Sequence, residues 1–192
     1  MSETRAYLRV ANPLATWGDW PDGDAAIAAH QLLAEDRRDW SLFLANGDHF
    51  GRMVLGAYHG WRTGRGPLHG VGYLAFDPAE LALTEGEMQP TPKHYTYQWP
   101  PELADAHHDL VGHTPGGVRA LLAAVALDSR LVRLTRIEVY VEEQRLVQRP
   151  DCVKAFAELA RGRFKTLANL EPTIFQAVAV ACAAAGVAPP AV

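Results

Sequence analysis

Three prolines, at positions 115, 150 and 172, each stand at the opening of a run with helical spacing, and this punctuation constrains the chain more than any other feature. Thr114 is a good N-cap ahead of Pro115, and Val118, Leu121, Leu122 and Val125 then form one apolar stripe, which predicts a helix to about Leu127. Leu131 to Val141 alternates Ile137, Val139 and Val141 with Arg136, Glu138 and Tyr140, the period of a strand. Pro150-Asp151 opens a helix to about Arg161, and Pro172 opens one to about Ala185, closed by Gly186.

The first half reads as strands joined by turns. Tyr7 to Ala11 is a strand ended by Asn12-Pro13, because the residue before proline avoids the helical region. A polar-aromatic loop, Trp17 to Gly23, leads into a helix from Asp24 to about Arg37. Trp40 to Ala45, the turn signal Asn46-Gly47 and Arg52 to Tyr58 read as a hairpin. A glycine-rich loop, Gly60 to Gly70, precedes a strand from Val71 to Phe76, stopped by Asp77-Pro78. Tyr95, Tyr97 and Trp99 alternate with polar residues in a further strand, Lys93 to Trp99. The sum is an α+β class: a mixed, mostly antiparallel sheet with flanking helices, in one globular domain spanning residues 1–192.

Composition narrows the function. A chain of 192 residues buries a substantial core without staples. The net charge of −4 argues against gripping a polyanion as the main task. The charge is uneven, however: residues 1–113 carry 15 acidic and 8 basic side chains, residues 114–192 carry 7 and 10. All eight histidines and all five tryptophans lie at or before His113, so acid-base chemistry is expected from the first half. Cys152 and Cys182 have no partner spacing and read as buried, reduced thiols. The N-terminus lacks the pattern of a signal peptide and no apolar run reaches membrane-spanning length, so a cytoplasmic protein is expected, with no membrane partner.

Gly112-His113-Thr114-Pro115-Gly116-Gly117 opens a helix, where free amides can bind an anion; a capped helix behind a tight turn explains the same residues. Gly64 to Gly72, flanked by Tyr58, His59, Trp61 and Arg62, could hold a phosphate or stack a base, or simply join two strands. Glu102, Asp105, His107, His108, Asp109 and His113 lack the spacing of a helical zinc motif, so no metal is expected. A general base must shed its proton near neutral pH, and Glu85, Glu87, Glu102 and His94 are the candidates.

Much of the layout resembles the GNAT N-acyltransferases. "WSLFLANGDHFGRMVLGAYHG" looks like their second and third strands, "HTPGGVRALLAAV" like their cofactor loop and helix, and "RIEVYVEEQ" with "DCVKAFAELARGRF" like the strand and helix that follow. The resemblance spans roughly residues 5–164 and gives a GNAT-like order, β-α-β-β-β-α-β-α. It departs at His113 and Val118, where the family has Arg or Gln and Gly or Ala, at Phe156 in place of a tyrosine acid, and in the long stretch from Phe76 to Gly112. It implies an acyl-CoA-dependent N-acyltransferase acting on a small-molecule amine or peptide. Acetyl-CoA or another acyl-CoA would be held at His113, Thr114, Gly116, Gly117, Val118 and Arg119, with Glu102, His94 or Glu85 as base.

Two other families resemble the same helix. "DLVGHTPGG" is similar to the α/β-hydrolase nucleophile elbow, although Thr114 replaces serine and no histidine follows His113. "ATWGDW", "TPGGVRALLAAV" and "RIEVYVEEQRLVQRPDCV" look like parts of Cas5-type RAMP subunits of CRISPR effector complexes. That resemblance implies a noncatalytic subunit with nucleic acid as partner. A protein-interaction domain is the remaining alternative.

Overall fold

The structure is a computed structural model that describes residues 6–11, 39–45, 48–62, 71–91 and 100–192. The expected loop 17–23, the helix 24–37, the Asn46-Gly47 turn, residues 63–70 of the glycine-rich loop and the strand 93–99, with His94, lie outside the described residues. The chain is α+β. Its strands are β1 (Tyr7–Ala11), β2 (Trp40–Leu44), β3 (Val71–Phe76), β4 (Glu87–Pro90), β5 (His107–Val111) and β6 (Leu131–Leu134). They form one sheet in the order β4-β5-β2-β1-β3-β6, every neighbouring pair antiparallel. Its helices are α1 (Asp48–Arg62), α2 (Pro78–Leu81, running into a 3-10 turn at Ala82–Thr84), α3 (Pro101–Asp105), α4 (Pro115–Ala124), α5 (Leu127–Arg130), α6 (Arg136–Val147), α7 (Lys154–Leu170) and α8 (Pro172–Ala184).

The alternation along each strand sends side chains into two cores. Trp40, Leu42, Leu74, Phe76 and Leu110 face α4, whose Val118, Leu121 and Val125 cover them. Leu8 and Phe43 face α1, which presents Phe50, Met53, Val54 and Ala57 at three- and four-residue spacing. Behind α1 lie α6, α7 and α8, packed around Tyr140, Phe164, Leu167, Val178 and Cys182. The expected stripe of α4 is present, with Leu122 only partly buried.

One expected strand is a helix, and another is a helix over its second part. Arg52 to Tyr58 belongs to α1, because the apolar residues from Phe50 to Ala57 follow helical rather than alternating spacing. Its glycines are contact points. A Cβ at Gly51 would sit 2.4 Å from the Tyr73 ring, and one at Gly56 would sit 3.0 Å from the Glu142 Cβ. Leu131 to Val141 is strand only as far as Leu134. There Thr135 caps α6 in a capping box: its hydroxyl accepts from the Glu138 N–H, and the Glu138 carboxylate accepts from the Thr135 N–H at 2.8 Å. The alternation that suggested a strand arises because much of α6 is enclosed, with Val139, Tyr140, Val141, Glu143, Gln144 and Leu146 all buried. α7 begins at Lys154, later than expected, and runs on to Leu170.

Leu121 is fully buried and Leu122 is not. Leu121→Ala should therefore cost roughly 2–5 kcal/mol in a denaturant melt, and Leu122→Ala clearly less. Equal costs would mean that α4 is rotated on the sheet. Thr135→Ala should cost about 0.5–2 kcal/mol through loss of the cap.

Candidate functional site

The opening of α4 is held from below. The Thr114 N–H donates to the Thr84 carbonyl at 3.1 Å, and the Thr114 hydroxyl donates to the Glu85 carboxylate at 2.8 Å. The same hydroxyl oxygen accepts from the Gly117 N–H at 2.9 Å, and the Thr114 carbonyl accepts from the Val118 N–H at 2.9 Å. Two of the three amides expected to meet a pyrophosphate, those of Gly117 and Val118, are thus engaged within the chain. Gly117 is glycine for a packing reason: a Cβ there would lie 2.4 Å from the Thr84 carbonyl oxygen. Gly116 faces open space, Val118 is in the core and Arg119 is exposed. The His113 ring lies 5.2 Å from the Trp40 ring, and its two nitrogens are buried without a hydrogen-bond partner.

The candidate bases are not gathered at this opening. Glu85 is there, in a left-handed turn at φ 64°, directly against the Thr114 hydroxyl. Glu87 lies on β4, exposed. Glu102 is on the other side of the sheet, on α3, whose Leu103 enters the core beneath α1. Its carboxylate is gripped by both ends of the Arg149 guanidinium, at 2.5 and 2.6 Å. Arg149 holds Glu102 below the usual carboxylate range, outweighing burial, and does the same to Asp151. A carboxylate held so is a poor proton acceptor. The strands β5 and β6, which precede and follow α4, are separated by β2, β1 and β3, so they do not splay from one another.

A serine, an aspartate and a histidine do meet on β2 and β5. The Ser41 hydroxyl donates to Asp109 Oδ1 at 3.1 Å, and His107 Nε2 lies 3.8 Å from the same oxygen. The carboxylate stands between the other two, so the imidazole cannot take the serine proton as a triad requires. His107 Nδ1 is 2.9 Å from the Thr91 carbonyl, a bond that holds the strands. Burial pushes the Cys152 and Cys182 thiols up, away from thiolate chemistry. Among the described residues no cluster of three or more His, Cys, Asp or Glu could hold a metal ion, and no helix is long and apolar enough to cross a membrane.

A groove absent from the sequence reading runs between α1, α6 and the end of α8. It comprises two adjoining cavities of about 270 and 490 Å³ that share His49, Glu142 and Arg145. Met53, Leu146 and Val187 line the smaller; Ile137, Val141 and Ala181 line the larger. Along its rim Arg52 bridges Glu138 at 2.9 Å and Glu142 at 3.2 Å, and Arg145 approaches Glu142 at 3.5 Å. Burial opposes charge on Glu138, but the Thr135 N–H and the Arg52 guanidinium outweigh it and hold the carboxyl below its usual range. Reading residues 131–141 as a strand hid this groove, because it scattered Glu138, Glu142 and Arg145, which one helix places in line.

If Glu102 is structural, Glu102→Gln should lower the melting temperature at neutral pH. A carboxyl whose folded pKa is depressed stabilises above its unfolded value, near 4.3, and loses that contribution as pH falls through the folded value. The gap between parent and variant should therefore close in acid, and a gap that widens there would refute the assignment. Comparison of the chain with known proteins found no matching family model, no matching curated protein and no matching solved structure.

Proposed function

We propose that this chain is a non-catalytic binding protein whose ligand surface is the groove between α1, α6 and the end of α8. The observation that carries the reading is the groove itself: an apolar floor with a charged rim, on the scale of a small-ligand site. Along that rim Arg52 is tied to Glu138 and Glu142. Arg52 is held above its ordinary value by Glu138 and Glu142 in spite of burial, and Glu138 is held below its own. Groups in this condition fix orientation and charge, whereas a general acid or base needs a pKa near the working pH.

Acyl transfer is the reading with more to overcome. An acyl-CoA at the opening of α4 would have to displace the Thr114 contacts to Gly117 and Val118, and its pyrophosphate would stand beside the Glu85 carboxylate. The RNA reading loses part of its charge to internal pairing: Arg130 binds Glu80, Arg136 binds Glu171, and Arg149 binds Glu102 and Asp151.

Backbone amide NMR separates the three readings in one series. Small amphiphiles should perturb signals of residues 49–53, 137–149 and 181–187. Millimolar acetyl-CoA and a short RNA should leave the spectrum and the melting curve unchanged. A ligand at a hundred times its dissociation constant would add about 2.7 kcal/mol, a shift too large to miss. Perturbation of residues 84–86 and 113–119 by acetyl-CoA, abolished in Gly116→Glu, would overturn the proposal in favour of acyl transfer. Gly116 is the position to change, because a side chain at Gly117 would collide with Thr84 and unfold α4 whatever binds there.

A further inference from the structure

We infer that the groove takes a monoanionic amphiphile, a carboxylate on an apolar body, with Arg145 as the group that receives the carboxylate. The inference rests on the binding reading above and adds the class of ligand.

The argument begins with which charges are already satisfied. Arg52 is divided between Glu138 and Glu142, at 2.9 and 3.2 Å. Arg149, which lines the smaller cavity, is spent on Glu102 and Asp151, with contacts from 2.5 to 2.9 Å. Arg145 is different. One of its nitrogens donates to the Ala185 carbonyl at 3.2 Å, and its Nε lies 3.5 Å from a Glu142 carboxylate that already serves Arg52 more closely. A guanidinium has five N–H donors. Among the described residues Arg145 therefore keeps donors to spare, on a side chain 46% exposed. It also lines both cavities, so those donors stand where the two join. His49 lines both cavities as well and adds a second donor at the junction.

The floor selects for an apolar body. Met53, Leu146 and Val187 on one side and Ile137, Val141 and Ala181 on the other offer no strong polar partner. A cationic head finds Glu138 and Glu142 already met by Arg52 and Arg145, which balance them one for one. A dianion fits poorly too, because Arg52 and Arg145 only balance Glu138 and Glu142 along the larger cavity. One negative charge matches the one arginine with unused donors, and a planar carboxylate suits a guanidinium fork.

Titration calorimetry on the full chain with octanoate, octanol and octylamine tests the inference. Octanoate should bind at least about tenfold more tightly than octanol, the advantage expected of a hydrogen-bonded charge pair, and octylamine should be weakest. Arg145→Gln should reduce octanoate affinity about tenfold while leaving octanol unchanged. Far-UV circular dichroism and the melt of the variant should match the parent, since the side chain is half exposed. His49→Gln, a second variant at an exposed position in the first turn of α1, should weaken octanoate in the same direction. If octanol equals octanoate and Arg145→Gln changes neither, the groove binds but the carboxylate assignment is wrong. If none of the three binds, both the assignment and the binding reading fall.

Discussion

Helix α6 carries three glutamates, one buried and two along the groove, and each is met by an arginine from another helix. Glu138 and Glu142 meet Arg52 of α1, and Glu143, fully buried, meets Arg163 of α7. At its start Arg136 grips Glu171, the residue that opens α8. Moving two charges out of water costs as much as their attraction returns, so such pairs are weak evidence of net stability. Removing one partner is another matter, because it strands a buried charge at a cost of about 3–5 kcal/mol. That cost applies to the buried Glu143–Arg163 pair, which ties α6 to α7, whereas the half-exposed pairs of Glu138 and Glu171 are worth less. Burial also pushes the Tyr140 hydroxyl up to about 12, against the pull of Arg136, so it stays neutral amid these charges.

This pairing accounts for the uneven charge of the sequence. The basic excess of the second half looks like a surface feature when counted along the chain. In space much of it is internal: Arg130 reaches across to Glu80, and Arg149 to Glu102, partners from the acidic first half. A count along the sequence cannot separate a charge that attracts a polyanion from one that binds two elements together.

The elements that were legible are those whose limits are set locally. β1 and β3 span the expected residues, and Asp77-Pro78 stops β3 by backbone chemistry alone. α4 and α8 follow from their opening prolines. The illegible ones depend on the neighbours they meet. The Asn46-Gly47 signal suggests a hairpin until the helical spacing of Phe50, Met53, Val54 and Ala57 is seen against Leu8 and Phe43. α6 lacks a clean amphipathic stripe because buried polar residues, Glu143 and Gln144, break its apolar side, while Glu138 and Arg145 face the groove. The Thr135-Glu138 capping box was present in the sequence and would have marked the start of α6, but a strong alternation masked it. At the opening of α4 the sequence correctly located Thr114 as the cap. It could not show that the loop at Thr84 and Glu85 would close beneath it, because those residues are some 30 positions away.

The contact at Gly56 reaches further than the packing of two helices. α1 and α6 are the facing walls of the groove, and with a glycine at their crossing they touch backbone to backbone. At that crossing no α1 side chain separates the two backbones, so the spacing there does not adjust by rotamer changes. A molecule entering the groove meets walls already at their final separation and pays little ordering entropy for their closure. Discrimination would then be geometric. Guests would be sorted by thickness and length, as coins are in a slot, and a bulkier one would be refused rather than accommodated.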